Sequence, residues 1–142
     1  MLYGFSMFII CLFSLAQLNL TWHYIRKVDD PALNHVPTNL PFVTLQLPLY
    51  NEKYVIDRLL DAVTSLDYPN THLEIQILDD SDDETVGMID ARIDQIKNKG
   101  IDIIHLRRQN RIGFKAGALQ HGLTIAKGEF IAVFDADFIP KI

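Results

Sequence analysis

Cysteine is almost absent from this chain, Cys11 being the only one among 142 residues. That excludes a disulfide scaffold and a zinc site built on cysteines. Basic charge is also scarce, with 13 Lys and Arg against 18 Asp and Glu, a net charge of -5. With no basic patch interleaved with aromatics, the composition speaks against nucleic acid as a partner. His23, His35, His72, His105 and His121 are scattered without metal-ligand spacing, so packing or solvated roles are expected of them. No internal repeat or low-complexity tract is visible. What remains, 142 residues of which 49% are hydrophobic, allows one domain with a real core and not two large ones.

Charge of either sign is missing from residues 1–25, which contain no Lys, Arg, Asp or Glu. Residues 1–20 are apolar apart from Gly4, Ser6, Ser14, Gln17 and Asn19, about the ~20 residues that a bilayer core requires. Trp22 and Tyr24 follow at interface level, then Arg26 and Lys27. A secretory signal is the main rival, and Ser14-Leu15-Ala16 has the form of a cleavage site. Yet no basic segment precedes the run, and the positive charges come after it. The expectation is a transmembrane anchor over residues 1–25, in an integral membrane protein whose following portion is cytoplasmic. Asp29-Asp30-Pro31, Pro37 and Pro41 then predict an extended linker over residues 26–41.

From residue 42 the pattern alternates. Strands are predicted over residues 42–47, ended by Pro48, and over 73–78, 101–106 and 129–134. Helical spacing is predicted over 54–66 (Val55, Leu59, Ala62, Val63, Leu66), over 84–99 (Val86, Ile89, Ile93, Ile96) and over 115–126. Gly100 is placed to stop the second helix. The fold class is α/β, a Rossmann-like, mostly parallel sheet with right-handed crossovers over residues 42–142.

Polar constellations fall at the ends of the strands, where ligands of open α/β sheets bind. Pro48-Leu49-Tyr50-Asn51-Glu52 offers the flat face of Tyr50 to a nucleobase and the polar groups of Asn51 and Glu52 to a base edge. The competing reading is a turn with Asn51 as helix cap. Asp79 and Asp80 end the second strand, where an acid can accept a ribose hydroxyl or a base N–H. Ser81, Asp82 and Asp83 suffice to cap the next helix. Gly113 and Gly117 flank Lys115 at a helix start, a setting that favours phosphate, although the Walker A spacing is missing. Asp135-Ala136-Asp137, after the apolar run Phe130-Ile131-Ala132-Val133-Phe134, presents two carboxylates to one cation. Oxygen-only ligands suit Mg2+ or Mn2+ bridging to phosphates. Arg107 and Arg108 read as a charged loop rather than as phosphate contacts, and Phe138 and Pro140 as walls of a ligand pocket.

Together these pieces resemble the family-2 glycosyltransferases of the GT-A fold, especially the membrane-bound branch of cellulose and mannan synthases. The matching segments are Leu47-Pro48-Leu49-Tyr50-Asn51-Glu52, Ile77-Leu78-Asp79-Asp80-Ser81, residues 111–119 and Phe134-Asp135-Ala136-Asp137. Lys115-Ala116-Gly117-Ala118-Leu119 is most similar to glucomannan-synthase-like and ceramide-glucosyltransferase-like members. The resemblance implies that Tyr50 and Glu52 contact the nucleobase and that Asp79 or Asp80 binds its polar side. It also implies that Lys115 approaches the diphosphate, Asp135 the ribose and metal, and Asp137 the metal. It implies an inverting transfer from a UDP-hexose or GDP-mannose to a glycan or lipid acceptor, yielding a β-linked polysaccharide or glycolipid.

Inversion requires a general base. In that family the base comes from an acidic motif, often Thr-Glu-Asp, downstream of the Asp-x-Asp, and processive members add Gln-x-x-Arg-Trp. Neither occurs in this sequence. The expectation is therefore an N-terminal, donor-binding fragment with no residue assigned as base. Expressed alone it should transfer no sugar, and measurable turnover would sink that reading. The alternatives are a phospho-accepting receiver domain, disfavoured because Lys115 precedes the acidic strand end, and a nucleotide-sugar-binding pseudoenzyme.

Overall fold

The structure is a computed structural model that describes residues 2–26 and 39–138. Residues 27–38 of the expected linker, and Pro140, lie outside the described residues. The chain divides into two compact units, Met1–Thr38 and Asn39–Ile142.

The first unit holds one helix, α1 (Leu2–Ile25). At 1.5 Å per residue its 24 residues reach about 36 Å, enough for a hydrocarbon core of about 30 Å. Its large apolar side chains are exposed all round, Phe5, Phe13 and Leu18 among them. Among the described residues it is the one helix long and apolar enough to cross a membrane. Arg26 lies over the Trp22 ring, 4.1 Å from its centroid.

The second unit is a four-stranded sheet of β1 (Val43–Leu49), β2 (Leu73–Asp79), β3 (Asp102–Arg107) and β4 (Phe130–Val133), ordered β3-β2-β1-β4. Every pairing is parallel. The helices are α2 (Ile56–Thr64), α3 (Thr85–Lys97) and α4 (Phe114–Leu123), with a 3₁₀ turn at Asn70–His72. The α/β expectation holds, including the number and order of elements. This strand order also differs from the 2-1-3-4-5 of receiver domains.

One face of the sheet is dry. Leu45, Leu47, Ile75 and Ile77 pack against Ile56, Leu59, Leu60 and Val63 of α2 and Ile89, Ile93 and Ile96 of α3, all buried. The opposite face, under α4, is buried yet polar. There Thr44 donates to Glu74 at 2.7 Å and Gln46 donates to Gln76 at 3.0 Å. The Lys127 N–H also donates to Glu74 at 3.1 Å. These bonds satisfy Glu74 Oε2, whereas Glu74 Oε1 is buried without a hydrogen bond and has Lys127 Nζ at 3.4 Å.

Pro48 does not end the first strand as expected, because β1 runs through it to Leu49. Successive β1 residues bond alternately to the two neighbouring strands. The Leu49 carbonyl accepts from Asp80, beside β2, and the Gln46 carbonyl from Phe134, beyond β4. Pro48 shares the parity of Gln46 and faces the β4 side past the last β1–β4 pair, Gln46 and Val133. No ladder N–H is required there, so proline fits a central strand.

Candidate functional site

The chain proceeds from β1 outward to β2 and β3, then returns to lay β4 on the other flank of β1. The carboxyl ends of β1 and β4 thus border the point where the strand order reverses, where such sheets leave a crevice. A cleft of about 360 Å³ occupies it, lined by Pro48, Leu49, Tyr50, Glu52, Leu78, Arg111, Lys115, Ala118, Asp135, Ala136 and Asp137. That volume suits a small-molecule ligand.

The cleft brings together Tyr50, Glu52, Lys115, Asp135 and Asp137, all singled out in the sequence. Lys115 forms an ion pair with Asp135, both side chains about half exposed. Such a pair is worth about 0–1 kcal/mol, so an anionic ligand displaces it at little cost. Arg111 was not singled out. Its guanidinium lies 3.3 Å from the centroid of the Tyr50 ring, a cation–π contact that puts a second positive charge in the cleft. The signal available in the sequence was a basic residue four positions before Lys115 in the same loop.

Four other residues have different places. Asn51 does not line the cleft, nor does it cap α2, which has no side-chain cap. Its N–H donates to the Ser81 hydroxyl at 2.9 Å, and its amide exchanges hydrogen bonds with the Asp82 carboxylate and N–H. It therefore fastens the loop after β1 to the loop after β2. Asp80 accepts from Arg108 through both carboxylate oxygens. Gly117 is needed for packing, since a Cβ there would stand 2.0 Å from the Ile112 carbonyl oxygen.

Asp79 is fully buried and accepts from His105 Nε2 at 2.9 Å and from the Ser81 N–H at 2.9 Å. Arg107 stands 3.5 Å away. On the other side of the ring, His105 Nδ1 is 2.7 Å from Asp90. Only a protonated imidazole donates to both carboxylates. Burial alone would push the Asp79 carboxyl up, but hydrogen bonds from His105 and Ser81 outweigh it and hold it below its usual value. Burial likewise favours a neutral His105, and Asp79 and Asp90 outweigh it and raise the imidazole above its usual value.

The sign follows for each group. His105, with a raised folded value, stabilises fully below its unfolded value near 6.5, and that stabilisation is lost as pH rises through the folded value. Asp79, with a depressed folded value, stabilises above 3.8 and loses this as pH falls through the folded value. Melting temperature should therefore decline from about pH 6.5 upward, and less steeply in His105→Gln. Equal slopes in thermal melts of the two proteins would refute the assignment.

No group of three or more His, Cys, Asp and Glu able to hold a metal ion is present among the described residues. Asp135 and Asp137 supply two carboxylates at the cleft wall. That donor set is too small for an all-protein cage but fits a divalent cation completed by ligand phosphates.

Residues 44–142 match the family described as glycosyl transferase family 2. The probable glucomannan 4-beta-mannosyltransferase 3 of Arabidopsis thaliana is 40% identical over 122 residues, covering 83% of this chain and 22% of that protein. The glucomannan 4-beta-mannosyltransferase 1 of Oryza sativa subsp. japonica is 38% identical over 116 residues, covering 79% and 22%. The chain spans about a fifth of the length of the curated relatives it matches. Among solved structures, the mannosyltransferase PcManGT of Pyrobaculum calidifontis, in complex with GDP-Man and Mn2+, superposes with a TM-score of 0.71 at 29% identity. It covers 87% of this chain and 34% of that one. TarS of S. aureus in complex with UDP gives 0.58 at 26% identity, covering 67% and 27%.

Proposed function

Since the chain belongs to glycosyltransferase family 2, we propose that its cleft binds the nucleotide-diphosphate part of a hexose donor, GDP-mannose, in a membrane-anchored enzyme making β-mannan. The observation that carries this is the meeting of Tyr50, Arg111, Lys115, Asp135 and Asp137 in one cleft at the switch point. The mannosyltransferase names of the relatives and the GDP-Man complex of PcManGT support the choice of donor.

The roles divide by chemistry. Tyr50 offers a ring to the base, and Glu52 accepts from a base N–H. Lys115, released from Asp135, neutralises the diphosphate as the sugar departs, an electrostatic contribution to the barrier. Asp135 and Asp137 would hold Mg2+ or Mn2+, which supplies Lewis-acid stabilisation of the leaving diphosphate. The acceptor, a glycan or lipid, approaches from the open side of the cleft. Helix α1 anchors the chain, and Arg26 and Lys27 after it keep the sheet on the cytoplasmic side.

Calorimetric titration of the chain with GDP-mannose, GDP, UDP-glucose and acetyl phosphate, each with Mn2+ or with chelator, tests the proposal. GDP-mannose and GDP should bind with Mn2+ and lose affinity with chelator, and acetyl phosphate should leave the protein unmodified. Absence of binding by every nucleotide would sink it.

A further inference from the structure

We infer that Arg108 is a positioning residue: paired with Asp80, it holds the turn that carries Arg111 and Lys115 into the cleft. The inference rests on the reading of that cleft as a nucleotide-diphosphate site.

The turn needs holding. Gly113 has φ 74° and Phe114 has φ 47°, two successive residues in the left-handed region. For a bulky side chain such as Phe114 that conformation is disfavoured, and it persists only where the surroundings over-determine it. The Phe114 side chain does not supply the restraint, because it is 67% exposed. The backbone does. Arg108 Nη1 donates to the Ile112 carbonyl at 2.9 Å and Nη2 to the Phe114 carbonyl at 3.1 Å. The same guanidinium donates through Nε and Nη2 to the two oxygens of Asp80, at 2.9 and 2.5 Å. Side-chain exposure is only 12% for Arg108 and 7% for Asp80, so this is not the solvated pair of a charged loop.

The geometry has a direction. Asp80 follows β2, Arg108 follows β3, and the turn precedes α4, so one planar fork ties two strand ends to a helix start. Gly117 lets the turn lie directly on α4, since a Cβ there would meet Ile112 O at 2.0 Å and Arg108 Nη1 at 2.7 Å. With the turn fixed, Arg111 is set over Tyr50 and Lys115 beside Asp135. Arg108 itself does not line the cleft. A lysine offers no such fork of donors and cannot reproduce these contacts.

The test uses the full chain and the variants Arg108→Lys and Asp80→Asn, the second keeping the side-chain volume in case the first folds poorly. Without ligand, amide hydrogen exchange across residues 110–117 should speed up by about tenfold or more in both, with β2 unchanged. With Mn2+ present, the ratio of GDP to guanosine affinity should fall about tenfold, the scale of one lost charge-assisted contact. In an Arg111→Ala, Lys115→Ala background, Arg108→Lys should add no further loss, because its effect passes through those residues. Unchanged exchange in both variants, or a loss fully additive with that background, would overturn the inference. If the wild type binds neither GDP nor guanosine while exchange still rises, positioning of the turn stands and the nucleotide reading falls.

Discussion

Asp137→Asn is expected to abolish the metal-dependent part of nucleotide affinity while leaving the fold intact. Asp137 lies in the exposed turn after β4, lines the cleft and has no ion-pair partner among the described residues, so its loss leaves no buried group unsatisfied. Removing partners that merely orient a metal ligand costs about 10–100-fold in affinity. Loss of one of two carboxylates should reach the upper end of that range or beyond. Asp135→Asn has a different signature, because it also frees Lys115 from its ion pair. Its metal dependence should vanish in the same way, while affinity for GDP in chelator rises slightly as Lys115 turns to the phosphates. Calorimetry with and without Mn2+ measures both. A wild-type response to Mn2+ in Asp137→Asn would remove that carboxylate from the site.

The fold was legible because the alternation of strand and helix runs is a local signal. The apolar runs over residues 73–78 and 101–106, bounded by His72 and Asp79 and by Gly100 and Arg107, need no tertiary information to be read. That Tyr50, Glu52, Lys115, Asp135 and Asp137 meet in one cleft was legible for a related reason: they stand at strand ends or a helix start, and parallel topology sends those ends to one edge. The protein contacts of Asp79, Asp80 and Asn51, which stand at the same edge, were not legible. Their partners are His105, Arg108 and Asp82, which lie 26, 28 and 31 residues away in sequence. A strand-end acid awaiting a ligand and one already satisfied by a neighbouring strand look alike in one dimension. The polar sheet face was hidden likewise, since the alternation of Leu73, Ile75 and Ile77 with Glu74 and Gln76 reads as one wet face. In the structure α4 covers it, and Thr44, Gln46, Glu74 and Gln76 hydrogen-bond one another beneath the helix.

Asp79→Ala is expected to be the most destabilising single change at the edge of the cleft. The carboxylate is fully buried and serves three neighbours, His105, Arg107 and the Ser81 N–H. Removing one partner of a buried ion pair costs about 3–5 kcal/mol, because the other charge stays desolvated. Here Asp90 on α3 still faces His105 and is exposed, which keeps the loss toward the lower figure. The consequence reaches further than stability. Ser81, freed from Asp79, also holds the Asn51 N–H, and Asn51 lies between the cleft residues Tyr50 and Glu52. Asn51 itself has φ 56°, a conformation tolerated in asparagine and maintained by its bonds to Ser81 and Asp82. Loss of Asp79 should therefore lower the denaturation midpoint and loosen the loop that carries Tyr50 and Glu52 together. Asp79→Asn retains an acceptor for the Ser81 N–H and should cost markedly less, while flattening the decline of stability above pH 6.5 because His105 loses a carboxylate. Chemical denaturation of the three proteins at two pH values separates these effects. An Asp79→Ala variant with the midpoint of the wild type would show that the buried carboxylate holds neither the sheet edge nor the loop.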